Sequence, residues 1–341
     1  MMAGRGVDLT AAGGPARHIP VMLTEVLAAL APKAGEIVVD GTLGAGGYTC
    51  AILEAARCMV IAIDRDPDAV ASARALEKRF PGRLHVVLGR FADIESITED
   101  QGVRAVDGVT LDLGVSSMQL DEPERGFSFM QEGPLDMRMG KDGPTAADVV
   151  NLMPERELAA IIAVLGEEKR ARAIARAVVA RREEQPILST LELADVVARV
   201  LGRKHDEVKH PATRTFQALR LYVNGELDEL AKGLSAAERV LQAGGRLVVV
   251  TFHSLEDRIA KRFFASRSAP PPRGSRHLPE KGDSFLAPSF QLLNRRPLSP
   301  SKDEIRANPR ARSARLRAGE RTAAPAHALD LAALGVPRLA M

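Results

Sequence analysis

The residues with the clearest chemistry form a glycine-rich turn, Gly41-Thr-Leu-Gly-Ala-Gly-Gly47, between an apolar run at 37–40 (IVVD) and a helical pattern over 48–57. Such a turn lets backbone N–H groups approach a ligand closely. Three ligand classes use one. A nucleoside triphosphate loop needs Gly-x4-Gly-Lys-Ser/Thr. Gly41 and Gly46 have that spacing, but Gly47-Tyr48 stands where Lys-Ser/Thr is required. A dinucleotide fingerprint starts at Gly44-Ala45-Gly46, but Thr49 takes its final glycine's place. S-adenosylmethionine carries no pyrophosphate, so for it the turn need only leave room for the amino acid and ribose. Asp64 ends the second apolar run, 59–64 (MVIAID), 18 residues after Gly46. Its carboxylate could accept from both hydroxyls of a ribose, or it could cap the helix starting near Pro67. Phe91 could cover an adenine face or pack in the core. Asp112 closes the fourth run, 106–113, at the carboxyl edge where open α/β sheets bind ligands; its competing role is a buried structural carboxylate.

These residues need strands to position them. Runs at 37–40, 59–64, 84–88 and 106–113 alternate with helical patterns, including 67–79 with Pro67 in its first turn. That alternation predicts a parallel sheet with right-handed crossovers. From 119 to about Lys209 the strands stop, and helical patterns at 154–165, 167–182 and 190–201 predict a helical insertion. A long amphipathic helix over 214–241 follows, with Phe216, Leu219, Tyr222 and Val223 on one face, ended by Gly244-Gly245. A fifth strand is expected at 246–252. The stretch 269–300, with seven prolines, predicts a loop, and 289–298 with 313–320 a closing antiparallel pair. The expected units are 1–118 and 213–322 for the sheet-bearing core, 119–212 for the insertion, and 323–341 for a flexible tail. No internal repeat is visible.

Composition sets the outer limits. The chain has 341 residues, 45% hydrophobic and 27% charged, the balance of a globular protein rather than a disordered or fibrous one. Two cysteines, Cys50 and Cys58, can form neither a disulfide framework nor a four-cysteine zinc site, and no metal is expected. No apolar run is long enough to span a membrane, and residues 1–20 lack a signal-peptide core, so a cytoplasmic protein with a loose leader is expected. The net charge of +3 is mild, but 291–321 holds nine Lys/Arg against three Asp/Glu. With no Trp and two Tyr, a single-strand binder built on stacking platforms is disfavoured.

Several stretches occur together in order: His18-Ile-Pro-Val21, Asp40-Gly-Thr-Leu-Gly-Ala-Gly-Gly47, Asp64-Arg-Asp-Pro67, Leu111-Asp-Leu-Gly-Val-Ser-Ser-Met-Gln119, Arg125-Gly-Phe-Ser-Phe129 and Gly133-Pro-Leu-Asp-Met-Arg-Met139. Lys209-His-Pro-Ala-Thr-Arg-Thr-Phe-Gln-Ala218, Phe252-His-Ser-Leu-Glu-Asp-Arg258 and Asn308-Pro-Arg-Ala-Arg-Ser313 follow. Over about 17–322 the chain resembles the bacterial ribosomal RNA small subunit methyltransferase H family. The resemblance implies an α/β, class I methyltransferase (Rossmann-like) fold: a mostly parallel seven-stranded sheet with an inserted all-helical domain. It also implies S-adenosyl-L-methionine as cofactor and methylation of N(4) of a cytidine in the decoding region of small-subunit (16S) ribosomal RNA. The RNA partner would be met within the small ribosomal particle; no oligomeric state follows. Carried over by motif position, cofactor contacts fall on Gly46, Gly47, Tyr48, Asp64, Phe91, Asp112 and Gln119. Tyr48 stands where the family usually has His, and Met118 where Pro is common, so the contact at 48 is expected through its backbone N–H.

A cytosine amino group is a weak nucleophile, so it must be positioned and its hydrogens accepted. Acceptors expected at the sheet edge are Asp112, the carbonyls of Leu113-Gly114, the Ser116 and Ser117 hydroxyls, and His253. The cluster His253-Ser-Leu-Glu-Asp257 suggests His253 or Asp257 as the group that orients the base or moves its proton. The competing role is a helix cap at Ser254 with Asp257 in a capping box. No cysteine stands at these positions, so covalent attack on a ring carbon is disfavoured. Two basic sets could grip phosphates: Lys169, Arg170, Arg172, Arg176, Arg181 and Arg182 in the insertion, and Arg306, Arg310, Arg312, Arg315 and Arg317 near the C-terminus. The alternative functions are an amino methyltransferase acting on another nucleic acid and a non-catalytic small-subunit assembly factor.

Overall fold

A computed structural model describes residues 20–202, 210–269 and 286–339. The expected leader with His18, Lys209, and half of the proline-rich stretch lie outside the described residues.

The helix α1 (Leu23–Leu30) precedes β1 (Ile37–Asp40), α2 (Gly47–Ala55), β2 (Met59–Asp64), α3 (Pro67–Arg79), β3 (Leu84–Leu88), α4 (Ile94–Asp100) and β4 (Val106–Asp112). These bounds follow the expected apolar runs closely, because strands buried on both faces read as near-continuous β-branched segments. Helices α5 (Ser117–Asp121), α6 (Ala146–Leu152), α7 (Glu155–Leu165), α8 (Ala171–Glu184) and α9 (Thr190–Leu201) come next, without a strand among the described residues from 117 to 201. The chain then returns through α10 (Thr213–Asn224), α11 (Glu226–Val240), β5 (Leu241–Thr251), α12 (Ser254–Ser268), β6 (Phe290–Leu292), α13 (Lys302–Ala307), β7 (Arg315–Arg321) and α14 (Leu331–Leu334).

The seven strands form one sheet in the order β3-β2-β1-β4-β5-β7-β6. Strands β1 to β5 pair in parallel, whereas β7 runs antiparallel to both β5 and β6. This is the mostly parallel α/β fold of the class I methyltransferases. The register pairs Asp40 with Ala62 and Thr110, Asp64 with Leu88, and Asp112 with Val250, which brings all three aspartates to one carboxyl edge. On one sheet face, Val109, Leu111 and Val249 join Leu158, Ile161, Ile174 and Val197 of the helical segment in a continuous apolar cluster. The other face buries Val38, Val60, Val248 and Val250 against α1, α2 and α3. No helix among the described residues is long and apolar enough to cross a membrane.

Three expectations are corrected. The single helix over 214–241 is two helices, broken at Gly225, whose φ is +60°. A side chain there would be strained, and glycine is not. The apolar spacing runs through the break and hides it: α10 packs on α7, while α11 packs beside Phe91 and α4. Gly244 and Gly245 do not end the helix. They lie within β5, at a bulge where pairing moves from Val106↔Leu241 to Gly108↔Arg246. The tail is docked rather than flexible, with Leu334 and Val336 buried against α11 and α12. Its clasp is the fully buried carboxylate of Glu238. Oε1 accepts from the His327 N–H at 2.9 Å and from Ser289 Oγ at 2.6 Å, and Oε2 accepts from Arg267 Nε at 2.7 Å. Arg321 Nε donates to the Glu238 carbonyl at 2.8 Å.

Removing one partner from a buried, hydrogen-bonded ion pair leaves the other charge uncompensated, which costs about 3–5 kcal/mol. Glu238→Ala should lower the unfolding free energy by about that amount in denaturant titrations. Amides of 327–336 should lose hydrogen-exchange protection before those of the central strands.

Candidate active site

The turn after β1 is held by its own backbone. Gly41 N–H donates to Thr110 O, Leu43 N–H to Ile63 O and Gly46 N–H to Leu43 O. Gly46 is the N-cap of α2 at φ +80°, and a Cβ there would meet Leu76 Cδ1 at 2.5 Å. The N–H groups of the first turn of α2 have no intrahelical partners, and that of Thr49 turns to Asp40. Asp40 lies buried beneath the turn, accepting from Thr49 Oγ1 at 2.7 Å and Thr42 N–H at 3.2 Å. Burial raises its carboxyl from 3.8 to about 6.

Asp64 accepts from Gly44 N–H at 2.7 Å and Asp66 N–H at 2.9 Å, and burial raises its pKa despite both bonds. It is not the helix cap; Asp66 caps α3, accepting from Asp68 N–H at 3.0 Å. Asp112 donates its N–H to Thr42 Oγ1 at 2.7 Å, but its buried Oδ1 has no hydrogen-bond partner among the described residues. Burial, with Asp40 and Glu256 nearby, pushes this carboxyl well above its ordinary range. An edge of this kind favours cationic and hydroxyl-bearing ligands and disfavours a pyrophosphate. The residues present therefore fit a sulfonium donor with an ammonium group and a ribose.

Gly47, Tyr48, Asp64, Phe91, Asp112 and Gln119 line one crevice of about 330 Å³; Gly46 shapes its loop without lining it. Tyr48 is buried and its hydroxyl donates to Val21 O, so its side chain ties the segment before α1 to α2. Gln119 is set by a capping box with Ser116, and its Nε2 donates to Asp66 Oδ2 at 2.8 Å. Arg125 Nη1 sits 2.8 Å from the same Asp66 oxygen. The crevice also takes in Arg65, Met139, Arg220 and Glu229, which the sequence analysis does not single out. Arg65 had only its place after Asp64 as a signal, and Glu229 is one of several acids on an amphipathic helix.

His253 and Asp257 line a second and larger groove, about 1190 Å³, which meets the crevice at Phe252. His253 itself is the N-cap of α12, one residue earlier than expected, and Glu256 rather than Asp257 completes the capping box. The Glu256 carboxylate lies 3.0 Å from His253 Nε2. Asp257 is held by Arg317, with contacts of 2.8 and 3.1 Å, and lies 3.6 Å from Arg315. The two basic sets separate as well. In the insertion, Arg176 pairs with Glu155, Arg181 with Glu192, and Arg182 Nη1 donates to Val150 O; none of that set lines the groove. Arg312 and Arg315 do line it, while Arg310 pairs with Asp121 at the crevice.

Asp40 offers a test of this buried edge. Its native form keeps its proton up to about pH 6, while the unfolded chain loses it near 3.8. The carboxyl therefore favours the native state below its unfolded pKa, and that contribution is lost as pH rises through the native one. Between about pH 4 and pH 7 the parent should lose up to ~3 kcal/mol relative to Asp40→Asn, measured by denaturant unfolding at each pH.

The sequence profile of the MraW methylase family matches residues 15–322. A protein of Parvibaculum lavamentivorans named ribosomal RNA small subunit methyltransferase H is 60% identical over 318 residues, covering 93% of each chain. One of the same name from Azorhizobium caulinodans is 60% identical over 328 residues, covering 96% of this chain and 94% of its own. Another from Paramagnetospirillum magneticum is 57% identical over 312 residues, covering 92% of this chain and 98% of its own. With a glycine loop, three strand-end aspartates and a sheet of this order already in place, the chain belongs to the MraW methylase family and is an S-adenosylmethionine-dependent methyltransferase.

Proposed function

We propose that the protein methylates the exocyclic N(4) of a cytidine in the decoding region of small-subunit ribosomal RNA, meeting its substrate within the small ribosomal particle. The observation that carries this is the adjacency of two cavities. The crevice, edged by Asp64 and Asp112, meets at Phe252 a groove bearing Arg214, Arg258, Lys261, Arg312 and Arg315 against three carboxylates, Glu167, Glu168 and Asp257. The relatives named above are named for small-subunit ribosomal RNA.

When bound, S-adenosylmethionine supplies a methyl group on a cationic sulfur that leaves as a neutral thioether. The chain's own residues do the rest. Asp64 accepts from the ribose hydroxyls and Phe91 covers the adenine. Gly46 and Gly47 give the loop its close approach, while Tyr48 contributes its backbone N–H. Asp112 offers Oδ1 to a donor on the cofactor or the base, and Gln119 completes the wall. The Leu113 and Gly114 carbonyls, with Asp112, can accept the hydrogens of the amino group. Holding the reacting atoms at near-attack distance can supply ~7–11 kcal/mol of the barrier. The base must be splayed from structured RNA to reach the crevice. His253 and Asp257, on the groove side of Phe252, serve to orient the nucleotide rather than to line the cofactor site.

Labelled methyl transfer to small ribosomal particles, followed by nucleoside analysis, tests the whole assignment; label on another base or atom, or none, would overturn it. Asp64→Ala should weaken S-adenosylhomocysteine binding by at least ~30-fold, about 2 kcal/mol, in calorimetry. His253→Ala should slow single-turnover transfer at saturating cofactor and RNA; an unchanged rate removes its role. Each phosphate contact on a single strand contributes about 0.7 to the salt slope. Replacing Arg312 and Arg315 by Ala should therefore flatten log affinity against log salt by about 1.4.

A further inference from the structure

On α11, which packs beside Phe91, Glu229 is only 4% exposed and lines the crevice. One oxygen is committed: Oε2 lies 2.7 Å from Arg65 Nη1, which also donates to Asn224 O at 2.8 Å. The other, Oε1, is buried and has no hydrogen-bond partner among the described residues. A buried acceptor left without a donor is costly. Gly233 lies one helical turn further along the same face of α11. A Cβ there would stand 2.3 Å from the Phe91 ring, so the ring rests directly on the helix backbone. Arg65, the partner of Glu229, follows Asp64 directly in sequence. Glu229 thus shares the crevice with Asp64, assigned to the ribose, and with Phe91, assigned to the base.

We propose that Glu229 reads the amino edge of the cofactor's purine, with Oε1 accepting a hydrogen bond from the exocyclic amino group; this rests on the assignment of the crevice to S-adenosylmethionine. The chemistry selects one purine. Adenine presents an amino donor at that position, whereas hypoxanthine and guanine present a carbonyl acceptor. Burial raises the Glu229 carboxyl from 4.5 to about 7, so above that pH a carboxylate facing a carbonyl leaves two acceptors without a proton between them, and sites built around one hydrogen bond reject analogues that lack it. Glu229 also lines, with Glu226 and Glu256, a recess of about 40 Å³ that is large enough for a single water. Satisfaction of Oε1 by that water alone is the competing outcome.

The test is calorimetric binding, well above pH 7 so that Glu229 is ionised, of S-adenosylhomocysteine and its S-inosyl analogue, which carries oxygen in place of the amino group. The parent protein should prefer the adenosyl ligand at least tenfold. In Glu229→Gln the amide can turn either its oxygen or its nitrogen to the ligand, so the preference should fall to within about threefold, with thermal unfolding confirming the fold. Glu226→Gln, altered in the same recess but paired with Arg220, should keep the parent's preference. Equal binding of both ligands by the parent would overturn the proposal while leaving the crevice assignment standing. So would an undiminished preference in Glu229→Gln, or an equal collapse in Glu226→Gln. Failure of the parent to bind either ligand would overturn the crevice assignment and this proposal together.

Discussion

Three carboxyl groups crowd one edge of a water-poor sheet, and the site is organised around the cost of burying them. Asp40, Asp64 and Asp112 end the adjacent strands β1, β2 and β4. All three have pKa values raised by burial. The chain offsets part of the cost locally. Thr49, Thr42 and the N–H groups of Gly44 and Asp66 all donate to this edge. Oδ1 of Asp112 keeps no partner. What remains is a row of carboxyl groups short of donors over a glycine turn, an edge that a cationic, hydroxyl-bearing methyl donor would complete. Any of them that ionises would repel the phosphates of a nucleotide cofactor, so the electrostatics and the incomplete dinucleotide fingerprint point the same way.

Much of this was legible in the sequence, for a definite reason. Parallel strands covered on both faces must be apolar throughout, so their ends are sharply marked by the first polar residue. In β1 and β2 that residue is the site aspartate itself, whereas β4 reaches Asp112 only after Asp107 and Thr110. The glycine turn was legible because its departures from the two commoner motifs occur at identifiable positions, Gly47-Tyr48 for one and Thr49 for the other. What stayed hidden depends on contacts distant along the chain. The break at Gly225 leaves the apolar spacing of α10 and α11 undisturbed. Glu229 is indistinguishable in sequence from the other acids of α11, because only the packing of that helix on Phe91 gives it a task. The cap of α12 was misplaced by one residue because Ser254 is the better intrinsic cap, yet the His253 ring and Glu256 complete the box.

The cationic residues carry a similar lesson. Counting Lys and Arg picks out two clusters of comparable size, but their place in the fold separates them: Arg312 and Arg315 line the groove and none of the insertion set does. Along the insertion, Glu155 and Glu192 answer arginines at short range, giving a solvated surface. Around the groove, Arg312 and Arg315 come from the segment leading into β7 and meet Arg214, Arg258 and Lys261 from α10 and α12. Such a field is assembled by topology rather than by local sequence.

The clasp around Glu238 bears on how the chain is made. Its donors Arg267, Ser289, Arg321 and the His327 N–H follow it by 29 to 89 residues. During synthesis, which proceeds from the N-terminus, this carboxylate must stay hydrated until the last of them emerges, because burial without them would strand its charge. The nascent chain can thus assemble β1 to β4 early, but α11 cannot settle fully onto the sheet until residue 327 is free. Completion of the core is timed to the arrival of the C-terminal segment, and the Phe91 seat on α11 is finished only then.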